Sequence, residues 1–184
     1  MRIVGGRLRG RPLAGPSSDA IRPTSDRLRE TVFNVLAHAY DDAVEGARVM
    51  DLFAGTGAMA LEALSRGAAF ALMVDDSGDA RSIIRENVDK LGLGDATRLF
   101  RRDATRLGPV GQNGRFGLVF CDPPYGRDLA APALVSAASG GWLEPGALAI
   151  VEESAGRFIA PASFEELERR TVGATEVTFV RFVG

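Results

Sequence analysis

Short apolar runs alternate with amphipathic segments along most of the chain. The runs predict five β-strands, at residues 49–53, 69–74, 97–100, 118–121 and 147–151. Between them, apolar residues recur every three or four positions, as on the buried face of a helix. Strands that alternate with helices form a parallel sheet through right-handed crossovers. The pattern therefore predicts an α/β fold, doubly wound, with a mostly parallel sheet.

The two ends of the chain depart from this alternation. Residues 165–172 and 175–182 flank Gly173 and Ala174, which predicts an antiparallel hairpin at the edge of the sheet. Residues 2–13 hold two short alternating pieces around glycines and predict a small β-hairpin.

A loop rich in glycine, proline and serine follows the predicted N-terminal hairpin and extends to residue 23. Capping side chains at Ser25 and Asp26 then precede apolar residues at helical spacing, which predicts a helix. We therefore expect two parts, an arginine-rich extension over residues 1–23 and a main domain over residues 24–184.

The composition excludes several classes of protein. Hydrophobic residues make up 46% and charged residues 25% of the chain, as in ordinary globular proteins. The single cysteine, Cys121, excludes a disulfide framework, and the single histidine, His38, argues against multi-histidine metal centres. No apolar run approaches the ~18 residues of a membrane helix, and no basic and apolar leader opens the chain. We expect a soluble, cytoplasmic protein that binds neither metal nor membrane.

Arginine is concentrated at the start of the chain. The net charge is −2, yet the first 30 residues hold seven arginines against three acidic residues. Arginine pairs bidentately with phosphate and stacks on bases, so this segment is typical of an arm that binds nucleic acid. A solvated terminal segment is the alternative. The seven are Arg2, Arg7, Arg9, Arg11, Arg22, Arg27 and Arg29.

A glycine-containing turn follows the first predicted strand. Asp51 lies two residues before the strand ends, and Gly55 and Gly57 let a ligand approach the backbone closely. A phosphate-binding P-loop would need a lysine here, and a dinucleotide fingerprint would need a third glycine where Ala60 stands. The carboxylate would repel a pyrophosphate but suits an ammonium or sulfonium group. S-adenosylmethionine carries both and is the predicted ligand; a tight turn without a ligand is the alternative.

Two further predicted strands end in acidic residues. Asp75 follows Asp51 by 24 residues, near the spacing at which an acid accepts the hydroxyls of a bound ribose. Asp76 adjoins it and is either a helix cap or a substitute for Asp75. Asp103 either accepts a hydrogen bond from an adenine amine or caps the short helix after it.

The fourth predicted strand runs into the sequence Asp122-Pro123-Pro124-Tyr125. Consecutive prolines fix the backbone and remove two donors, so the carbonyl groups of this turn point outward. The carboxylate and a proline carbonyl are two acceptors for a planar amine, and Tyr125 can stack on the ring that bears it. Acceptors on both N–H groups aim the nitrogen lone pair at a methyl sulfonium, which stabilises the transition state. A stiff turn or a linear recognition motif is the alternative.

These motifs resemble those of the RsmD family, bacterial methyltransferases that act on guanine N2 in 16S ribosomal RNA. The resemblance covers nearly the whole chain and is weakest over residues 127–184. The Asp-Pro-Pro-Tyr motif occurs in many amino-methyltransferases, so the N-terminal stretches are the discriminating part. The matching stretches are residues 1–6, 22–34, 51–58, 61–67 and 122–125.

The resemblance implies a Rossmann-like class I fold dependent on S-adenosylmethionine, and a role for each candidate residue. The residues implied to bind the cofactor are Asp51, Phe53, Gly55 and Gly57 at its methionine end, Asp75 at its ribose, and Asp103 and Ala104 at its adenine. The catalytic residues implied are Asp122 and Pro123, which hold the guanine amine, and Tyr125, which stacks on the base. RNA phosphates would be held by the hairpin and by the segment 22–29, through Arg7, Arg9, Arg11, Arg22 and Arg27. The family often has a further acid where this chain has Ser77.

The sequence thus predicts methyl transfer from S-adenosylmethionine to the N2 amine of one guanine in 16S rRNA, within an assembling small ribosomal subunit. The base is expected to be splayed from a loop, where its amine is accessible. Methylation of adenine N6 or of a protein glutamine is the first alternative, although such enzymes usually have asparagine where this chain has Asp122. A non-catalytic nucleic-acid-binding or dinucleotide-binding protein is the second.

Overall fold

The computed structural model describes residues 1–17 and 25–184. In this part of the chain, four α-helices and two 3-10 helices surround a seven-stranded sheet. The strands are β1 (Arg48–Leu52), β2 (Phe70–Val74), β3 (Thr97–Phe100), β4 (Phe116–Cys121), β5 (Leu143–Ser154), β6 (Phe164–Val172) and β7 (Thr175–Phe182). The α-helices are α1 (Asp26–Ala39), α2 (Ala58–Ser65), α3 (Gly78–Leu91) and α4 (Ala130–Ser139); the 3-10 helices are Gly94–Ala96 and Ala104–Arg106.

The strands lie in the order β3-β2-β1-β4-β5-β7-β6. Strands β1 to β5 are parallel, whereas β7 is antiparallel to both β5 and β6. The predicted α/β fold and its antiparallel C-terminal hairpin are therefore confirmed. The strand order reverses between β1 and β4, and ligands of open α/β sheets bind in the crevice at such a point, beyond the carboxyl ends of the strands.

Strands β4 and β5 begin earlier than the apolar pattern predicts. The pairing of β4 with β5 shifts register between Phe116 and Leu118. β5 begins at Leu143, but its residues 144–146 are exposed. Apolar runs mark only the buried parts of strands in a parallel sheet, so an irregular or exposed beginning escapes the pattern.

Helices cover both faces of the sheet. α1, α2 and α3 share an apolar core with one face, where the Phe33 and Phe120 ring centroids are 5.5 Å apart. α4 packs on the other face, beside the fully buried Trp142, whose indole N–H donates to the Gly108 carbonyl at 2.8 Å. Among the helices of the described residues, none has the length and apolar character needed to cross a membrane.

Residues 1–14 form a small N-terminal hairpin, as predicted, but in a shorter form. An isolated β-bridge joins Arg2 and Pro12. Next to it, the Ile3 N–H donates to the Arg11 carbonyl at 2.9 Å. Between these ends the backbone turns instead of continuing as two regular strands.

Buried side chains of α2 hold the N-terminal hairpin. The Glu62 carboxylate accepts the backbone N–H groups of Val4 and Gly5 at 2.9 and 2.8 Å. The Ser65 hydroxyl accepts the Leu8 N–H at 2.9 Å. Because both acceptors are buried, the hairpin is fixed to the body of the protein and is not a free arm.

Arg29 lies in the same buried cluster. Its guanidinium is fully buried, donates to the Arg2 carbonyl at 2.7 Å and to the Asp26 carboxylate at 2.6 Å, and lies 3.9 Å from Glu62. The expectation that the whole segment 22–29 holds RNA phosphates is wrong for Arg29. α1 turns this side chain towards the interior, where it neutralises Glu62 and is not accessible to RNA.

Candidate active site

The glycine turn (residues 53–57) and the double-proline corner (residues 122–125) lie at the same edge of the sheet. The turn follows β1 and the corner follows β4, and these parallel neighbours pair with Leu52 opposite Cys121. The corner also begins beside the end of β1, because the Asp122 N–H donates to the Leu52 carbonyl at 3.4 Å. Both motifs therefore open into the crevice where the strand order reverses.

The glycine turn adopts backbone conformations that most side chains avoid. Phe53, Gly55 and Gly57 have φ angles of 60°, 58° and 79°. Such left-handed angles suit glycine but cost about 1–3 kcal/mol for a residue such as phenylalanine. A Cβ on Gly57 would also lie 3.1 Å from the Met73 sulfur. Strain of this kind persists where the surrounding structure imposes it, and it clusters at functional turns.

Asp51 is a buried carboxylate behind the glycine turn. It is 2% exposed and accepts the Ala60 N–H of α2 at 3.2 Å. Burial raises the pKa of Asp51 to about 7, and the nearby Asp75 adds to the increase. A cation in the crevice would favour the ionised carboxylate, so the position fits a ligand that brings a positive charge.

The raised pKa of Asp51 predicts a pH dependence of stability. The folded carboxyl prefers its proton, with a pKa of about 7 against 3.8 ordinarily, so the free energy of unfolding should fall as pH rises between these values. The full difference is roughly 4 kcal/mol. Asp51→Asn carries no charge and should lack this decline. Urea unfolding of the cofactor-free protein across this pH range measures it.

Other groups contribute to the pH dependence of the free energy of unfolding in both the wild type and Asp51→Asn. The difference between the two profiles therefore isolates the contribution of Asp51. Asp75 also has a pKa raised by burial, but it is present in both. Asp95→Asn, at an exposed position, is the matched control and should follow the wild type. Parallel profiles for Asp51→Asn and wild type would show that Asp51 is not the titrating group.

Asp75 follows β2 and contacts the glycine turn. One carboxylate oxygen accepts the Gly55 N–H and the other accepts the Ser77 N–H, each at 2.9 Å. Asp76 is exposed and makes a contact through its carbonyl, which accepts from Arg81 at 2.7 Å. Of the two acids that the sequence left open for the ribose, Asp75 is the one in contact with the turn.

Asp103 acts as a helix cap. It is exposed after β3, and its Oδ1 accepts the N–H and the hydroxyl of Thr105 at 2.9 and 2.7 Å. These bonds lower the pKa of Asp103. Ala104 beside it is buried. The contacts of Asp103 thus match the capping alternative, and a role for Asp103 and Ala104 at an adenine stays a prediction.

The double-proline corner is held at its far end by Tyr125. The Tyr125 hydroxyl donates to Glu152 of β5 at 3.0 Å and lies 2.8 Å from the Thr175 hydroxyl at the start of β7. Burial is the main cause that raises the pKa of Tyr125 to about 12, so its hydroxyl stays protonated. Asp122 is partly buried and Pro123 is buried beside it.

A pocket opens beside Asp122, under α1. Its walls are apolar except for two carboxylates, Asp122 and Glu152. The apolar lining residues are Leu28, Val32, Met59, Phe120, Cys121, Ile150 and Val177. Within residues 1–17 and 25–184, no three His, Cys, Asp or Glu side chains group in a way that would hold a metal ion.

Three site residues were missed by sequence reasoning. Glu152 follows the apolar run of β5 by one position, a signal comparable to that of the strand-end acids Asp75 and Asp103. Thr175 lies in a region where the pattern indicated only an edge hairpin. The third, Asn87 of α3, is fully buried.

Asn87 links the N-terminal hairpin to the glycine turn. Its Nδ2 donates to the Thr56 carbonyl at 3.0 Å and to the Ala14 carbonyl at 3.1 Å, while its Oδ1 accepts the Ala14 N–H at 2.6 Å. One buried amide therefore positions both segments.

The arginines predicted to bind RNA lie mostly on the N-terminal hairpin. Arg7, Arg9 and Arg11 are exposed there, and Arg27 is exposed on the first turn of α1. Arg22 lies outside the described residues. The Arg7 N–H donates to the Ser65 carbonyl at 2.8 Å, so the hairpin tip sits at the end of α2, roughly 12 Å from the start of this helix.

Sequence comparisons find relatives over most of the chain. A family model described as "Conserved hypothetical protein 95" matches residues 1–181. Ribosomal RNA small subunit methyltransferase D of Escherichia coli strain K12 is 40% identical over 153 residues, which cover 83% of this chain and 74% of that protein. The protein of the same name from Haemophilus influenzae is 31% identical over 176 residues, covering 94% and 89%.

Solved structures resemble the fold over almost its full length. The Escherichia coli protein yhhF, a proposed methyltransferase, has a TM-score of 0.84 and 34% identity, covering 100% of this chain and 98% of that one. A hypothetical protein from Thermus thermophilus has a TM-score of 0.76 and 33% identity, covering 97% and 98%.

Proposed function

Because this chain belongs to the family of ribosomal RNA small subunit methyltransferase D, the RsmD family, we propose that it methylates the N2 amine of one guanine in 16S rRNA. The chain is thus an rRNA methyltransferase. We further propose that its target is guanine N2, that S-adenosylmethionine is the methyl donor, and that the assembling small subunit is the substrate. The main support for this proposal is the position of the glycine turn and the double-proline corner at the ends of neighbouring strands, β1 and β4.

S-adenosylmethionine is the proposed donor, and when bound it supplies a methyl group on a sulfonium. Asp51 fits its ammonium group, because a buried carboxylate gains from a neighbouring cation. Asp75 fits the ribose hydroxyls from the end of β2. Asp103 and Ala104, after β3, are proposed to border the adenine.

The amine is proposed to bind at the double-proline corner. Its lone pair is delocalised into the guanine ring, which makes it a poor nucleophile. The Asp122 carboxylate and the Pro123 carbonyl accept its two N–H groups and so favour the state in which the lone pair points at the methyl group. As the N–C bond forms and the C–S bond breaks, positive charge develops on nitrogen, and Asp122 stabilises this charge and takes a proton. Tyr125 contacts the base.

The exposed arginines of the N-terminal hairpin are proposed to hold RNA phosphates at a distance from the target base. Arg7, Arg9 and Arg11 lie on a hairpin that is already fixed to α2, so the RNA meets an ordered surface. Arg27 of α1 would extend the contact towards the pocket.

Replacement of Arg7, Arg9 and Arg11 by glutamine should weaken RNA binding and flatten its salt dependence. Each phosphate contact contributes about 0.7–0.9 to the slope of log affinity against log salt, so the triple variant should lose about two to three slope units. Filter binding of 16S rRNA over a salt series measures the slope. Arg169 and Arg170 pair with acids on β6, and their replacement is the control that should keep it. An unchanged slope in the triple variant would contradict the proposed RNA surface.

A methyl-transfer assay with labelled S-adenosylmethionine tests the proposed function. Small ribosomal subunits and naked 16S rRNA from a strain that lacks the enzyme should accept label on a guanine N2, as mass spectrometry of the digested RNA would show. Label on adenine, or on a release factor protein offered in parallel, would favour the alternative amine substrates. Binding of NAD without binding of S-adenosylhomocysteine in calorimetry would contradict the proposed donor.

A further inference from the structure

Glu152 lies beside Asp122 at the mouth of the pocket. Strands β4 and β5 pair in parallel with Phe120 opposite Ile150 and Cys121 opposite Val151. Asp122 is the first residue after β4, and continuing the register by one position places it next to Glu152, on strands about 4.8 Å apart. Both carboxylates line the pocket together with Phe120 and Ile150, which form part of its apolar wall.

The Glu152 side chain is oriented by a second residue of the site. Its Oε1 accepts the Tyr125 hydroxyl at 3.0 Å, and Glu152 is partly buried. A carboxylate accepts up to about four hydrogen bonds, so this bond is compatible with a donor from a bound base. The pocket thus presents two neighbouring acceptor side chains over an apolar wall.

Guanine has a matching pair of donors on one edge. Its N2 amine adjoins the N1–H, so both donors point the same way from the ring. Adenine presents an unprotonated N1 instead, which a carboxylate repels. We propose that Glu152 accepts the N1–H of the guanine whose N2 amine Asp122 holds, and so selects guanine against bases without a donor at N1. This inference rests on the proposed function.

We expect Glu152 to discriminate strongly between guanine and bases without a donor at N1, because the mismatched groups are polar and would meet inside the pocket. A base with an acceptor at N1 would face a carboxylate without a proton between them, and sites built around such hydrogen bonds reject mismatched analogues by about 10⁴-fold. An amide in place of the carboxylate could donate to N1. Glu152→Gln is therefore a matched change, which keeps the size of the side chain and an oxygen for the Tyr125 hydroxyl.

The test compares guanine with 2-aminopurine, which has the same exocyclic amine but no N1–H. Ligated 16S rRNA fragments would carry either base at the position that the wild-type enzyme methylates. The wild type should prefer guanine in kcat/KM, and Glu152→Gln should reduce that preference at least tenfold and gain activity on 2-aminopurine. Glu144→Gln, exposed on the same strand, is the control and should keep the wild-type preference.

Binding is measured separately from turnover, through the fluorescence of 2-aminopurine RNA with S-adenosylhomocysteine present and by competition with guanine RNA. If Glu152→Gln is inactive on both bases, a shift of the binding ratio towards 2-aminopurine supports the role of Glu152. An unchanged ratio in a folded variant that binds S-adenosylhomocysteine overturns it. A wild-type enzyme that methylates no guanine overturns the proposed function itself, which is a different result.

Discussion

Asp122→Ala should reduce kcat for methyl transfer by about 10³-fold while it leaves the affinity for S-adenosylhomocysteine within about twofold. The carboxylate follows β4 and lines the pocket, whereas the proposed cofactor residues lie in or after β1 and after β2 and β3. In the proposed mechanism, its removal takes away the acceptor for the amine and the charge that stabilises the developing cation. Single-turnover methylation with calorimetry of S-adenosylhomocysteine separates these two effects.

A second substitution separates charge from geometry at Asp122. Asp122→Asn keeps one carbonyl acceptor and should retain more activity than Asp122→Ala, with a loss of about 10- to 100-fold. Asp128→Ala is the control and should keep wild-type turnover. Asp128 lies shortly after the corner, is exposed and pairs with Arg157. A parallel loss of cofactor affinity in Asp122→Ala would place this residue in the donor half of the crevice instead.

Glu62→Ala should destabilise the protein by about 3–5 kcal/mol. Glu62 is fully buried, accepts two backbone N–H groups of the N-terminal hairpin and neutralises Arg29 and Arg66. Its loss leaves the fully buried Arg29 guanidinium with less opposing charge. Urea unfolding measures the free energy, and hydrogen exchange at Val4 and Gly5 should report faster opening of the hairpin.

An exposed glutamate provides the comparison for Glu62. Glu86→Ala removes a surface pair with Lys90 and should change the free energy of unfolding by less than about 1 kcal/mol. The double variant Glu62→Leu/Arg29→Leu removes the buried pair together and should recover part of the lost stability. Equal effects of the Glu62 and Glu86 substitutions would mean that the buried cluster does not hold the hairpin.

The sequence predicts where the candidate site lies better than it predicts which residues line it. A βαβ pattern places every strand end at one edge of the sheet, so the motifs after β1 and β4 could be expected to meet. Glu152 and Thr175 reach the same place through the pairing of β5 with β7, which joins residues far apart along the chain. Local apolar patterns contain no information about that pairing.

Arg29 shows a different limit of the sequence pattern. Its neighbours in a run of arginines suggested a surface that binds phosphates. Helical spacing gave the opposite signal, since Arg29 precedes Val32, Phe33 and Leu36 by three, four and seven positions, and all of these are buried. The prediction from charge alone is therefore wrong at this position. Glu62, the carboxylate that makes burial of the guanidinium tolerable, is on another helix.

The insertion of β7 between β5 and β6 determines when the pocket exists during synthesis. Val177 of β7 forms one of its walls, and Thr175 anchors Tyr125, although both are translated more than 50 residues after Asp122. A nascent chain that has emerged from the ribosome only through β5 has both motifs but an unfinished cavity. The pocket is therefore complete only after β7 has docked against β5, and premature termination ahead of β7 yields a protein that lacks part of the pocket wall.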